Sequence, residues 1–97
     1  MIVVFTDKAL LDLEEIGDFI GRDNPPRAAS FVAELREKCL GLAQFPEAFP
    51  LVERLARIGT RRRRHRNYLI FYRIAKNAIV IQHILHGARD YDAILET

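Results

Sequence analysis

The residues with the greatest capacity for chemistry lie in one short basic run. Positions 61 to 66 hold five arginines and one histidine, and an almost unbroken apolar segment follows at positions 68 to 74. Guanidinium groups form paired hydrogen bonds with phosphates and carboxylates, so the run predicts binding to nucleic acid or to an acidic protein. Five like charges in six positions repel one another, which favours a role in binding over a solvated surface without function.

Further basic and aromatic residues extend this set. They are Arg54, Arg57, Arg73 and Arg89, together with Tyr68, Tyr72 and Tyr91. Aromatic rings can stack on unpaired bases, while arginine and tyrosine are also enriched where proteins bind one another most tightly. The composition therefore leaves both kinds of partner open.

Metal and nucleophile chemistry find little support in the sequence. His83 and His86 are three residues apart, on opposite faces of a regular strand, and no cysteine or carboxylate cluster completes a ligand set. His83 is interpreted as a partly buried side chain, whereas His86, next to Gly87 and Arg89, is better placed to meet a ligand. Cys39 lacks a nearby base and is interpreted as a small buried hydrophobe. No metal or cofactor is expected.

The first half of the chain predicts a strand and two amphipathic helices. A strand at residues 2 to 5 precedes a helix that begins at Lys8 under a cap from Thr6 or Asp7. Asn24 caps a second helix with prolines in its first turn. The apolar face of that helix steps by three and four through Ala28, Val32, Leu35, Cys39 and Leu42. The short connection predicts an antiparallel helical hairpin that covers a sheet.

The second half predicts one helical turn near residues 51 to 57, then three strands and a short C-terminal piece. Residues 68 to 74 and 78 to 85 are rich in β-forming residues and are joined by a turn at Lys76-Asn77. If the basic run pairs with the first of these strands, Arg61, Arg63 and His65 point to one side and Arg62, Arg64 and Arg66 to the other. The prediction is a single α+β domain over residues 1–97, ordered β-α-α-β-β-β, with the hairpin packed on a twisted antiparallel sheet.

Charge is divided unevenly along the 97 residues. Residues 1 to 53 carry ten acidic and five basic side chains, whereas residues 54 to 97 carry three and ten, so the two parts have formal charges of −5 and +7. Such asymmetry concerns partners rather than fold. The N-terminal residues show no export signal and no apolar run approaches the length of a membrane span, so a cytoplasmic location and no membrane partner are expected.

Two segments carry a resemblance to a known family. Arg66-Asn-Tyr-Leu-Ile-Phe-Tyr-Arg-Ile74 is followed by Ala78-Ile-Val-Ile-Gln-His-Ile-Leu-His-Gly-Ala-Arg-Asp90, after a helix pair with Asn24-Pro25 at its bend. This order resembles the RelE/ParE toxin superfamily, and the ParE branch most closely, from residue 3 to about residue 94. The resemblance implies the toxin of a bacterial type II toxin–antitoxin pair, in a hetero-oligomeric complex with a cognate antitoxin whose acidic C-terminal segment wraps over it.

The superfamily has two targets. RelE-like members cut messenger RNA in the ribosome, using basic residues and a C-terminal tyrosine or histidine, whereas ParE-like members are regarded as inhibitors of DNA gyrase that block replication. Arg89, two residues after Gly87, matches a basic position of the nuclease branch, but residues 92 to 97 lack the expected aromatic or imidazole, and Tyr91 lies nearer the glycine. The resemblance therefore favours a non-enzymatic gyrase inhibitor that causes growth arrest and plasmid stabilisation. An mRNA endoribonuclease and an inert relative that only binds antitoxin are the alternatives.

Specific residues follow from these hypotheses. Contacts with the target, with direct nucleic-acid binding secondary, are expected from Arg61, Arg62, Arg63, Arg64, Arg66, Arg73, His86 and Arg89. Contacts with the antitoxin are expected from Leu13, Ile16, Ile20, Arg57, Arg61 and Arg63. If the protein is a nuclease, the catalytic candidates are Arg63, Arg73, His86, Arg89 and Tyr91.

Overall fold

A helical hairpin covers one face of a four-stranded sheet, and shorter helical segments cover the other. The computed structural model describes residues 1–89 and 91–95. Its elements are β1 (Ile2–Phe5), α1 (Asp7–Gly21), α2 (Pro25–Gly41), a 3-10 helix (Glu53–Ile58), β2 (Arg61–His65), β3 (Tyr68–Ala75), β4 (Ala78–His86) and α3 (Tyr91–Leu95). The predicted order of strands and helices is confirmed. In the part of the chain so described, no helix combines the length and apolar character needed to cross a bilayer.

The sheet has the strand order β1-β4-β3-β2. Strand β3 pairs antiparallel with both β2 and β4, whereas β1 runs parallel to β4, from Ile2 opposite Ala78 to Phe5 opposite Ile81. The α+β class is confirmed, but the sheet is mixed rather than wholly antiparallel. A parallel pair is joined by a long crossover and not by a turn, so no local sequence signal marks it.

Both tight turns of the sheet use a left-handed backbone. Asn77, between β3 and β4, has φ 61°, as the turn prediction required. Arg66, between β2 and β3, has φ 57°. The prediction that Arg66 continues the alternation of β2 is wrong, because His65 pairs with Tyr68 and leaves Arg66 and Asn67 to close the turn.

One extra residue interrupts the pairing of β3 with β4. Phe71 lies opposite His83 and Tyr72 lies opposite Ile81, so Gln82 has no partner in the ladder. Such a bulge changes which face the following side chains occupy. After it, Ile84 and His86 share the hairpin face of the sheet with Ile79 and Ile81, because His86 lies opposite Tyr68.

The main core lies between the helical hairpin and the sheet. Its buried residues are Ala9, Leu13, Ile16, Phe31, Leu35, Cys39, Leu42, Ile70, Tyr72, Ile79, Ile81 and Ile84. Burial raises the pKa of the Cys39 thiol to about 12, which confirms its interpretation as a buried hydrophobe. Burial also raises the pKa of Tyr72, whose hydroxyl donates to the Pro46 carbonyl at 2.8 Å and so fixes the loop after α2.

A smaller core lies on the opposite face. Val52, Leu69, Phe71 and Leu85 are buried there, and side chains of the 3-10 helix and α3 pack against them. Gly59 ends the 3-10 helix at φ 79°, a conformation that glycine adopts without strain, and the chain then enters β2. The two faces of the sheet are therefore covered by different parts of the chain.

The outer edge of β4 extends beyond β1 and is completed by side chains of the following segment. Thr6, which caps α1 by accepting from the Ala9 N–H, also donates its hydroxyl to the Ile81 carbonyl at 2.9 Å. Asp12 Oδ2 then accepts from the Ile84 N–H and contacts His83 Nδ1, both at 2.8 Å. The Asp12 side chain is only 12% exposed. Its carboxylate thus replaces a neighbouring strand at this edge.

A second polar contact joins α2 to β2. The Glu34 carboxylate accepts hydrogen bonds from the Arg27 guanidinium and, at 2.9 Å, from His65 Nε2. These hydrogen bonds, the one from Arg27 first, lower the pKa of Glu34 from 4.5 to about 2. The contact links α2 to His65, the last residue of the arginine-rich strand β2.

Replacing Asp12 by alanine should lower the free energy of unfolding by about 1–3 kcal/mol, because the Ile84 N–H and His83 lose their buried acceptor. Urea unfolding followed by circular dichroism measures the change. The matched control is Asp18→Ala, at an exposed position of the same helix, which should stay within about 0.5 kcal/mol of the wild type. Equal losses in the two variants would contradict a specific role for Asp12.

The Glu34 contact predicts a pH-dependent difference in stability between the wild type and Glu34→Gln. Because folding lowers this pKa, the stabilisation is present above about pH 4.5 and is lost as pH falls toward about 2. Unfolding measured across that range should show the wild type ahead of the variant near neutrality and the two converging in acid. The exposed Glu37→Gln variant supplies the control curve. A difference that stays constant down to pH 2 would contradict the assignment.

Candidate functional site: the arginine strand and the end of β4

The basic run forms an ordered edge strand of the sheet. Strand β2 pairs with β3 from Arg61 opposite Tyr72 to His65 opposite Tyr68. This confirms the prediction that the arginines are carried by a strand rather than by a disordered tail. The alternation of side chains is also confirmed from Arg61 to His65, and it divides the run into two groups with different surroundings.

The group on the hairpin face is used within the chain. Arg61 Nη1 donates to the Phe49 carbonyl at 2.7 Å. Arg63 Nη1 donates to the Lys38 carbonyl at 3.1 Å, in the last turn of α2, and its guanidinium lies 4.7 Å from the centre of the Phe49 ring. A cation suits the negative end of a helix dipole. These half-buried arginines therefore fix α2 and the loop that follows it.

The group on the opposite face is more available. Arg62 Nη1 donates to the Tyr91 hydroxyl at 3.1 Å, and the Tyr91 ring lies 5.1 Å from that of Phe71 in the smaller core. Arg64 is exposed, and its Nη1 lies 3.4 Å from the Arg66 carbonyl. Arg64 therefore offers the most accessible guanidinium of the strand.

The end of β4 presents an imidazole and an exposed arginine. The His86 ring packs edge-on against Tyr68, with 5.2 Å between ring centres. The Ala88 N–H donates to His86 Nδ1 at 3.1 Å, so in the neutral imidazole the proton lies on Nε2. Arg89 is exposed, and its N–H donates to the His86 carbonyl at 3.0 Å. This end of the strand thus combines a hydrogen-bond donor, an aromatic surface and an exposed cation.

The five residues considered for a nuclease do not converge on one point. Tyr91 lies in the smaller core on one face of the sheet, whereas His86 lies on the hairpin face with Tyr68. Arg63 is held against α2. Arg73 lies opposite Val80, five residues along β3 from Tyr68 and so about 17 Å from it. Backbone hydrogen bonds join Arg89 to both His86 and Tyr91, but the Tyr91 side chain points into the smaller core and away from His86.

The residues predicted to bind the antitoxin also fall into two groups. Leu13 and Ile16 are 2% and 6% exposed and belong to the main core. The prediction of a direct contact is corrected for these two, because their side chains pack against the sheet. Ile20 is half-buried and Arg57 is exposed, so these positions can still meet a partner.

Sequence reasoning did not single out the side chains that α1 and α2 bring to this end of the sheet. Phe19 is 63% exposed, and the Arg22 guanidinium lies 5.9 Å from the centre of its ring. Phe19, Tyr68 and His86, here called the aromatic wall, line two adjoining depressions. The signal that could have found Phe19 is that it is a large apolar residue of α1 outside the buried positions Ala9, Leu13 and Ile16.

No three histidine, cysteine or carboxylate side chains are arranged to hold a metal ion within residues 1–89 and 91–95.

Comparisons with known proteins agree with this architecture. The model of the family described as ParE toxin of type II toxin-antitoxin system, parDE, matches residues 3–91. The chromosomal ParDE toxin–antitoxin system from P. aeruginosa contains a chain that is similar in structure, with a TM-score of 0.68 and 23% identity over 89% of this chain and 95% of that one. At this identity the likeness concerns the fold.

A second solved structure is more similar in sequence. The crystal structure of the toxin–antitoxin complex RelBE2 from Mycobacterium tuberculosis includes a chain with 30% identity and a TM-score of 0.65, covering 88% of this chain and 95% of that one. Among curated proteins, none matches the chain. Because the family model spans nearly the whole sequence and the structure at 30% identity covers most of it, the chain belongs to the ParE toxin family of type II toxin–antitoxin systems, within the RelE/ParE superfamily.

Proposed function

We propose that this toxin blocks replication by binding and inhibiting DNA gyrase, without cutting RNA, and that a cognate antitoxin neutralises it. The observation that carries the proposal is the separation of His86 from Tyr91. Tyr91 is held by Arg62 and Phe71 in the smaller core, whereas His86 packs against Tyr68 on the other face of the sheet.

This separation matters because RNA cleavage needs two proton transfers at one site. One group must take the proton of the 2′-hydroxyl and another must protonate the leaving oxygen, each within hydrogen-bond reach. The Nδ1 atom of His86 already accepts from Ala88, and its Nε2 then carries a proton. The Tyr91 hydroxyl accepts from Arg62. Inhibition by binding requires neither group to move a proton.

A gyrase-binding surface is supported by the arginines that the chain leaves exposed. Arg64, Arg66 and Arg89 are exposed, and Arg73 is half-exposed on the face away from the hairpin. Arginine is enriched among the residues that dominate binding energy at protein interfaces. Arg61 and Arg63, although predicted to bind the target, are held by backbone carbonyls and support this surface from the other side.

The antitoxin is supported by the relatives, since both similar structures are described as toxin–antitoxin systems or complexes. Strand β2 is the edge of the sheet. Among the residues described, its outer side contacts only Leu51, opposite Arg61, and Pro50, whose carbonyl accepts from the Arg62 N–H. An extended peptide can add a strand to such an edge. With arginines on both faces of β2, an acidic antitoxin segment is the partner that suits it.

Purified toxin at micromolar concentration should inhibit supercoiling by purified gyrase. Arg89→Ala should raise the concentration for half-inhibition about tenfold, the effect of an interface arginine that contributes roughly 1.4 kcal/mol. Tyr91→Phe removes only the hydroxyl and should leave the inhibition unchanged. Lys76→Ala, in the turn at the far end of β3, is the control for loss of one positive charge.

Two results would replace this proposal. The RelE-like nuclease activity would be assigned if gyrase were unaffected and if the toxin cleaved messages during translation, with that cleavage lost in His86→Ala. Neither activity, with antitoxin binding retained, would assign an inert relative.

The antitoxin proposal predicts a charge effect at β2. Arg64→Glu should weaken binding of the antitoxin, taken from the neighbouring reading frame, by at least about tenfold and slow its association, because like charges then face each other across the edge. Calorimetry and surface plasmon resonance measure the two effects. Lys76→Glu makes the same change in net charge away from β2 and should have little effect. Equal weakening by both variants would point to net charge alone.

A further inference from the structure

The end of the molecule opposite the Lys76-Asn77 turn carries an aromatic surface between two depressions. The tip of the helical hairpin, the β2–β3 turn and the end of β4 meet there. The depressions have volumes of about 360 Å³ and 450 Å³, and both are lined by Phe19, Tyr68 and His86, the aromatic wall. The wall therefore separates two adjacent spaces, each of which has an aromatic side.

Each depression is also lined by two arginines. Arg22 and Arg89 line the first, and Arg27 and Arg66 line the second. Arg22, Arg66 and Arg89 are exposed, whereas Arg27 is partly engaged by Glu34. These cations come from four separate segments of the chain, so the fold rather than a run in the sequence assembles them.

Arg66 occupies a strained position in this arrangement. Its φ of 57° lies in the left-handed region, which glycine and asparagine adopt more readily than a long side chain does. The equivalent left-handed position at the other end of β3 is an asparagine, Asn77. Strain of this kind persists where the residue has a use, and here Arg66 lines the second depression together with Asn67 and Tyr68.

Backbone hydrogen bonding argues against a peptide as the ligand. Four N–H groups beside the wall already have acceptors inside the chain, those of Ile84, Gly87, Ala88 and Arg89. An extended peptide would need such donors for its own carbonyls. A nucleic acid does not, because its bases stack on rings and its phosphates meet guanidinium groups.

We propose that this end of the toxin binds single-stranded DNA, with unpaired bases stacked on the aromatic wall and phosphates held by Arg22, Arg66 and Arg89. Two carboxylates line the first depression. The Asp12 carboxylate already forms hydrogen bonds with His83 and the Ile84 N–H. The Glu15 carboxylate can accept a hydrogen bond from an amino group of a base.

The inference goes beyond gyrase inhibition, which requires only a protein contact, and the choice of DNA over RNA rests on the proposed function. The toxin would touch the DNA that gyrase handles as well as the enzyme itself. DNA binding is measured with the toxin alone. The toxin can therefore fail to bind DNA and still inhibit gyrase, or bind DNA and not inhibit gyrase.

The test is fluorescence anisotropy of a labelled twelve-nucleotide DNA strand with the full-length toxin at several salt concentrations. Arg66→Gly should weaken binding about tenfold and reduce the slope of log affinity against log salt by about 0.7, the contribution of one phosphate contact on a single strand. Its melting temperature should be unchanged or raised, because glycine relieves the strained turn. Asn77→Gly, the matched change in the other turn, should leave binding intact.

Stacking has a separate signature. Phe19→Leu keeps the exposed apolar surface but removes the ring, and should weaken binding roughly tenfold with no change in the salt slope. An unfolding measurement on the same samples checks that both variants are folded.

Four results would overturn the proposal: no binding by the wild type at 50 mM salt, equal losses in Arg66→Gly and Asn77→Gly, tighter binding of an RNA strand of the same sequence, or tighter binding of a glutamate-rich peptide that contains one phenylalanine.

Discussion

The structure depends on how the outer edge of β4 is satisfied. Along its inner edge β4 pairs with β3, but along its outer edge the partner changes from β1 to the side chains of Thr6 and Asp12. An unpaired N–H at a buried edge costs free energy, so this change of partner lets β4 extend beyond a four-residue strand. The extension carries His86 and Arg89 to the end where the hairpin tip lies.

The arginine strand solves an electrostatic problem of its own. Four guanidinium groups close together would repel one another in an isolated strand, and the pleat of β2 sends them alternately to two faces, while a fifth, that of Arg66, lies in the turn that follows. On one face, backbone carbonyls of Phe49 and Lys38 accept hydrogen bonds from Arg61 and Arg63. On the other face, the Tyr91 hydroxyl accepts a hydrogen bond from Arg62. Neutral carbonyl and hydroxyl dipoles therefore stabilise three of these cations, and Arg64 and Arg66 are left exposed.

Sequence reasoning succeeded where the signal was local. The capping residues Thr6 and Asn24, the left-handed Asn77 and the burial of Leu35, Cys39 and Leu42 all follow from the chemistry of a few neighbouring residues. The predicted apolar face of the second helix omits Phe31, which is buried, and includes Ala28 and Val32, which are half-buried. The parallel pairing of β1 could not be predicted in this way, because its partner lies in the last third of the chain. The same limit hid the grouping of Phe19 with Tyr68 and His86, which come from α1, β3 and β4. The bulge at Gln82 added a further obstacle, since it changes the faces of the residues that follow it in β4.

The position of β1 has a consequence for the life of the chain on the ribosome. Its hydrogen-bonding partner, residues 78 to 81, is made only after α1, α2 and β2, so the sheet cannot close before residue 81 has been made. Pairing two segments so far apart in sequence also carries a larger loop-closure entropy than closing the adjacent β3–β4 hairpin does. A nascent chain would therefore keep β1 without its sheet partner until residues 78 to 81 have emerged, and the four-stranded sheet can close only then.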